Sequence, residues 1–349
     1  MINEQLAELS NLALVVAIVL YVLAMFGFSA DLASISQRRA DQRLAAQEAE
    51  ESQRVLHGAG GGSAVEADGF LTGSDGTGES ARGTMTAQKF AFLLSIAATA
   101  LHVVGVLARA GATQRVPWAN MYEFATTSTA LVMVAFLVFS IKRAELRTLG
   151  TFVVSPVLLV LLLAQTFWIV PAAALTPSLQ NSHWLIIHIG IAIIATALSI
   201  LGAVVATLQL LQARHERALV ELVAAGEEHP EHWGRFGHVL DRLPSSTVLE
   251  SLSFRIHSIA FVCWTFTLIF GAIWAREAWG RFWGWDPKEV WTFIIWVIYA
   301  AYLHARATGG FRGSRAAGLA LAGFVAVVFN YTVVNTVING LHSYSEIGR

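Results

Sequence analysis

The amino-acid sequence predicts an all-α integral membrane protein, a bundle of about eight transmembrane helices with one tryptophan-rich loop on the outer face. Three observations predict it. Hydrophobic residues make up 55% of 349 and charged residues 13%, too few to coat a soluble chain of this length. Uncharged windows recur that reach the length of about 20 residues needed to cross a bilayer. Between Arg147 and Arg214 there is no Asp, Glu, Lys or Arg at all.

The apolar runs place helices at about 11–30, 90–108, 124–141, 150–170, 184–213, 256–275, 290–306 and 316–338. The first lacks a basic flank and a convincing cleavage site, so it reads as a retained helix in a unit spanning 1–30. Residues 31–88 read as a linker or insertion, flexible from 45 onward, where Glu48, Glu50 and Glu51 precede a Gly/Ser/Thr-rich stretch. No chemistry is assigned to it. Residues 89–349 hold the other seven helices and form the membrane domain. Within the long uncharged stretch, Pro171, Pro177, Gln180 and Asn181 supply the break between two spans.

Lys/Arg placement orients the chain. With both termini outside, the inner loops hold seventeen basic residues and the outer loops and tail six. The positive-inside rule therefore favours N-out and C-out. The 171–183 loop, the tryptophan-rich loop and the C-terminal tail then share the outer face.

The net charge of −1 does not point to a partner, and nothing directs the chain to nucleic acid. Cys263 is the one cysteine and lies inside an apolar span, which excludes a disulfide framework and dithiol redox chemistry. There is no CxxCH, so the chain is not itself a c-type cytochrome. The 214–255 loop carries His215, His229, His232 and His238 without ligand-type spacing and reads as solvated surface.

Trp279-Gly-Arg-Phe-Trp-Gly-Trp-Asp-Pro-Lys-Glu-Val-Trp291 puts four tryptophans in thirteen residues, mixed with both signs of charge, within a 276–291 loop. Interfacial tryptophan belts are routine in membrane proteins. A rigid aromatic platform beside charges also suits a flat, apolar ligand with an acidic edge, such as a porphyrin. Histidines at the same depth favour the porphyrin. His188 enters the fifth helix from its outer end, and His342 follows the eighth. Each alone could be a helix-packing residue; together they suit the two axial positions of six-coordinate haem iron. Trp279, Trp283, Trp285 and Trp291 would hold the ring, while Arg276, Arg281 or Lys288 would pair with propionates. Asp286 and Glu289 suit orienting Lys288 or a ligand imidazole, and Asp286-Pro287 equally suits the cap of the seventh helix. His304, at the inner end of that helix, suits a second haem iron; its partner is either His257 or a histidine of another subunit. His102 lies too far off in depth.

With these residues placed, the chain resembles the CcsA (ResC) family of System II cytochrome c biogenesis, haem-handling proteins with a tryptophan-rich "WWD" domain. The 279–291 motif carries the resemblance. Supporting matches are Pro117-Trp-Ala-Asn-Met-Tyr-Glu123, Trp184-Leu-Ile-Ile-His188, Leu249-Glu-Ser-Leu-Ser-Phe-Arg255, Tyr302-Leu-His304 and Gly340-Leu-His342-Ser343-Tyr344. The glycine-rich insertion departs from the family pattern, as do Glu250 and Phe254, which stand where the family usually has Asp and Tyr. His183 and His257 fall where no histidine is expected.

The resemblance implies a subunit that carries haem b across the bacterial plasma membrane and presents it to apocytochrome c for thioether formation with CxxCH cysteines. It implies His188 and His342 as outer ligands, His304 as an inner ligand, and a CcsB (ResB)-type partner supplying the other inner ligand. The synthase activity would then need that complex, and no residue of this chain is assigned as catalytic. A haem exporter without ligation activity and a bis-histidine electron-transfer cytochrome b are the alternatives. The cytochrome b would need a second ligand pair and leaves the tryptophan loop unexplained.

Overall fold

The computed structural model describes residues 2–59, 86–173, 182–227, 231–308 and 310–342. In chain order the helices are α1 (Glu4–Ala59), α2 (Ala87–Thr113), α3 (Met121–Lys142), α4 (Gly150–Leu163), α5 (His183–Ala224), α6 (Gly234–Leu240), α7 (Ser246–Trp279), α8 (Pro287–Ala307), α9 (Ser314–Tyr331) and α10 (Val333–Thr336). A 3-10 turn, Ala144–Leu149, leads into α4, and a π turn, Ala164–Trp168, ends it. Among the described residues there is no strand. Among the described residues, eight helical segments are long and apolar enough to cross a membrane, matching the expected number.

Local chemistry sets several boundaries. Thr86, Asn120 and Ser182 cap α2, α3 and α5, each accepting a backbone N–H three residues on. Gly280 ends α7 in the left-handed region at φ 73°, where a side chain would be strained. α1 runs on to Ala59, so the linker expected from residue 31 begins as helix. Residues 35–57 are rich in Ala, Gln, Glu, Arg and Leu, which are strong helix formers, and that propensity outweighs their polarity. Residues 60–85 of that linker, the break at Pro177, Gln180 and Asn181, His229 and Ser343-Tyr344 lie outside the described residues.

Two of the four buried clusters among the described residues organise the bundle. The larger buried cluster joins α1, α2, α3 and α4 to α5 and the inner half of α7, around Tyr21, Met133, Val154 and Leu249. The second sits among α5, α7, α8 and α9, around Trp264, Ile295, Tyr299 and Val327. α5 belongs to both and ties them together.

The loops read as inner from their basic residues meet at one end. Arg242 bonds to Asp31 at 3.2 Å, Arg217 donates to Ser314 Oγ at 3.1 Å, and Arg306 pairs with Glu250. At the other end, Arg109 and Arg115 close on Glu123 at 3.2 and 2.7 Å. They also donate to the carbonyls of Val170 and Ala173, at 2.7 and 2.9 Å, and so pin the chain leaving α4. Glu123 and Arg109 are buried and Arg115 is partly buried, so one buried carboxylate serves two guanidinium groups. Glu123→Ala, which would strand both, is expected to destabilise the protein by about 3–5 kcal/mol. Thermal unfolding of the detergent-solubilised variant checks this, and an unchanged midpoint would contradict it.

Candidate functional site

Between α5, α7, α8 and the segment after α9, at the end that carries Glu123, lies an open-mouthed cavity, with about 1190 Å³ of free space when the solvent at its mouth is included. Five tryptophans, Trp118, Trp264, Trp274, Trp279 and Trp283, stand in its walls among aliphatic and polar side chains, and both His188 and His342 line it. The structure thus brings together two histidines that are 154 positions apart in the chain.

Each imidazole is held by Nδ1. His188 donates Nδ1–H to the Thr267 carbonyl at 2.9 Å. Its ring lies against Gly271, where a Cβ would stand 2.8 Å from the imidazole, so only glycine admits it. His342 donates Nδ1–H to Asp286 Oδ2 at 2.8 Å. In the Nδ1–H tautomer the lone pair sits on Nε2, the arrangement seen where a histidine binds a metal while its other nitrogen is anchored. Trp274, only 2% exposed, touches both rings: it stacks on His188 at 6.2 Å and meets His342 edge-on at 5.7 Å.

Asp286 performs two tasks at once. It caps α8 in a capping box with Glu289, and it receives Leu341 N at 2.6 Å as well as His342. Burial raises the Asp286 carboxyl pKa, but the hydrogen bonds from His342 and Leu341 outweigh it, and the net direction is below the usual carboxylate range. The sign follows: the tie is complete above that range and is lost as pH falls through the depressed value.

Lys288 lines the cavity and donates Nζ–H to Asn330 O at 2.9 Å and Asn335 Oδ1 at 2.8 Å. Trp279 and Trp283 form cavity wall. Trp285 turns outward, 76% exposed, with a left-handed backbone at φ 59°. Trp291 packs on Phe329 at 4.2 Å, inside the α8–α9 contact and outside the cavity lining. Arg281 spans Trp279 and Glu289, while Arg276 bonds the Gly280 carbonyl and lies over Phe282; neither lines the cavity.

His304 is exposed near the opposite end of the bundle. His257 is fully buried and packs on Tyr299 and Tyr302, each at 5.4 Å, with Nδ1 on the Ser253 carbonyl. Tyr302 and His304, two positions apart on α8, point to different sides, so the structure does not pair His304 with His257. His102 is a core residue bonded to the Thr126 carbonyl, and His183 is exposed at the start of α5.

His215 departs from the solvated reading. It is 3% exposed, bonded to Asp241 at 2.9 Å and stacked near His232, because α6 folds back over the inner end of α5. Among the described residues, no group of three or more His, Cys, Asp or Glu is placed to hold a metal ion.

Sequence reasoning missed Trp118, Trp264 and Trp274 as cavity wall. Trp274, five residues before Trp279, carried the one usable signal, since extending α7 into the motif brings it to the same helix end.

Residues 118–342 match the family model of the cytochrome C assembly protein. This chain belongs to that family. Its relatives include cytochrome c biogenesis protein CcsA of Parasynechococcus marenigrum, 38% identical over 179 residues, covering 50% of this chain and 58% of the relative. CcsA of Guillardia theta is 35% identical over 245 residues, covering 65% of this chain and 76% of the relative. CcsA of Chlamydomonas reinhardtii is 38% identical over 173 residues, covering 50% of this chain and 43% of the relative. The chain thus spans a little over half of the first of these proteins. The family match runs from the cavity wall at Trp118 to His342, so it contains every cavity residue named above.

Asp286→Ala removes both the cap and the anchor of His342. It is expected to cost about 1–2 kcal/mol through the cap alone. Asp286→Asn should restore most of that loss, because asparagine also caps well. Unfolding midpoints of the two variants check the order.

Proposed function

We propose that the chain is the haem-handling and export subunit of a membrane cytochrome c synthase. It presents haem b at the outer face for thioether attachment to the CxxCH cysteines of apocytochrome c. One observation carries the reading: two imidazoles, each anchored through Nδ1, face a single aromatic-walled cavity. The donor set fits a six-coordinate haem, with two nitrogen ligands, indole walls and one ammonium. When bound, haem supplies the iron and the vinyl groups to which the thiols add.

This chain's residues do the positioning, which is the main service a protein can give such a reaction. His188 and His342 would hold the iron from two structural elements. Trp118, Trp279 and Trp283 supply apolar walls for the macrocycle. Lys288 is the cation best placed for a propionate, because Arg276 and Arg281 are engaged outside the cavity lining. Asp286 orients His342, and Glu289 holds the loop by accepting Gly284 N and Asp286 N. Trp285 and Trp291 support the loop from outside the cavity.

His304 belongs to an inner site. Its exposure on α8 and the inward commitment of His257 support a ligand from another polypeptide, a CcsB/ResB-type partner, opposite it. The chain sits in a bacterial plasma membrane with both termini outside, as the positive-inside count favours.

In His188→Ala and His342→Ala, purified protein is expected to lose the six-coordinate low-spin signature of the outer haem. Co-expression with the partner and a CxxCH reporter should give covalent product reduced by at least tenfold. Undiminished product in either variant would refute the ligand assignment. Product absent from the wild-type complex, with haem still bound, would leave an exporter. Trp285→Ala, outside the cavity, should keep the haem spectrum.

A further inference from the structure

We propose a second site at the inner end of the bundle: a tetrahedral Zn²⁺ site in which His215 and His232 each give Nδ1, with Asp241 as the outer hydrogen-bond partner of His215. It lies at the opposite end from the aromatic cavity and is independent of what that cavity binds.

Hydrogen bonding fixes which nitrogen is offered. His215 stands in the last third of α5 and is only 3% exposed. Its Nε2 lies 2.9 Å from Asp241 Oδ1. An ionised carboxylate only accepts, so Nε2 carries the proton and the lone pair of the neutral ring sits on Nδ1. That Nδ1 faces Nδ1 of His232 at 3.4 Å.

The spacing of the two nitrogens points to an ion between them. An N–H donor normally sits about 2.7–3.2 Å from its acceptor, so 3.4 Å is long for a direct bond. Two nitrogen ligands at about 2.0–2.1 Å from one tetrahedral ion stand about 3.3–3.4 Å apart. Neighbouring ligands on an octahedral ion with the same bond length stand only about 2.8–3.0 Å apart. Imidazole donors select Zn²⁺ over Mg²⁺ or Ca²⁺, which take oxygen ligands. With the ion on Nδ1, His232 keeps its proton on Nε2, and Asp241 completes a carboxylate–histidine–zinc arrangement.

Local structure builds the pair. α6 closes over α5 at Gly237, where a Cβ would stand 1.9 Å from the His232 carbonyl oxygen and 3.0 Å from His215 Cε1, so only glycine admits the approach. Trp233 stacks on His232 at 4.4 Å and covers one face of its ring. Two carboxylates supply negative charge nearby: His238 lies 3.7 Å from Asp241 Oδ2 and 4.0 Å from Glu231 Oε1. Among the described residues no third His, Cys, Asp or Glu joins the two imidazoles, so water fills the remaining positions. The ion ties the 231–241 segment to α5, and Arg242, bonded to Asp31, carries that tie on to α1.

Co²⁺ is the probe, because its visible absorption is intense in tetrahedral and weak in octahedral coordination. Full-length protein purified without a polyhistidine tag is titrated with Co²⁺, and the ion is then displaced with Zn²⁺. Intense bands that Zn²⁺ abolishes are expected. His232→Gln should remove those bands, and Asp241→Asn should weaken affinity at least tenfold, the lower end of the cost of losing a ligand's outer hydrogen-bond partner. In wild-type protein, which needs no variant to fold, saturating Zn²⁺ should protect His232 several-fold from diethylpyrocarbonate, read by mass spectrometry. The assignment is overturned if Co²⁺ does not bind, if only the weak octahedral bands appear, or if intense bands persist in His232→Gln. Labelling of His232 that Zn²⁺ leaves unchanged overturns it equally.

Discussion

The carboxylate of Asp286 joins parts of the molecule that nothing else in the chain's order would bring together. It starts α8 by capping the helix, and it fixes the end of the post-α9 segment through Leu341 N and His342 Nδ1. A capping residue normally satisfies backbone donors of its own helix. Here the capping oxygen, Oδ2, also receives His342 Nδ1 from 56 positions away while Oδ1 receives Leu341 N, so the helix start and the position of His342 are a single constraint. Lys288 extends it two residues on by holding Asn330 and Asn335, the entrance to the same segment.

The opposite wall depends on packing more than on charge. α5 and α7 lie close enough for the His188 ring to occupy the space above Gly271, with the Thr267 carbonyl one turn earlier taking the Nδ1 proton. Trp274 then completes the wall between the two imidazoles. The Arg109–Glu123–Arg115 group secures the rim on the far side. From there the Pro117–Asn120 turn brings Trp118 into the cavity. Charge is thus used at the ends of the helices and small-residue packing within them, as the cost of burying ions in a bilayer demands.

Much of this was legible in the chain itself. Eight spans followed from hydropathy, since a bilayer-crossing helix leaves a long uncharged run. The tryptophan loop, Asp286 as a cap and the shared end of His188 and His342 followed from motif and topology. The roles within the loop were not legible. Thirteen adjacent residues look alike as an aromatic, charged string, yet Trp283 faces the cavity, Trp285 faces outward and Trp291 sits between helices. A loop with a left-handed residue at Trp285 has no periodicity from which to read facing. The burial of His215 and the helix from 35 to 59 were missed for related reasons. The first depends on a distant helix folding back, and the second on propensity within a polar stretch.

Composition and spacing alone determined that this is a multi-pass helical membrane protein, and the resemblance of the 279–291 motif pointed to its family, because length, hydropathy and a dense motif are properties of the linear chain. The tertiary structure decided which nitrogen of each histidine is anchored, that Trp118, Trp264 and Trp274 complete the cavity, and that His257 turns inward while His304 stays exposed. Those are properties of surfaces meeting across different helices. A side chain's partner is set by how helices rotate and tilt against one another, and one-dimensional order does not record that rotation.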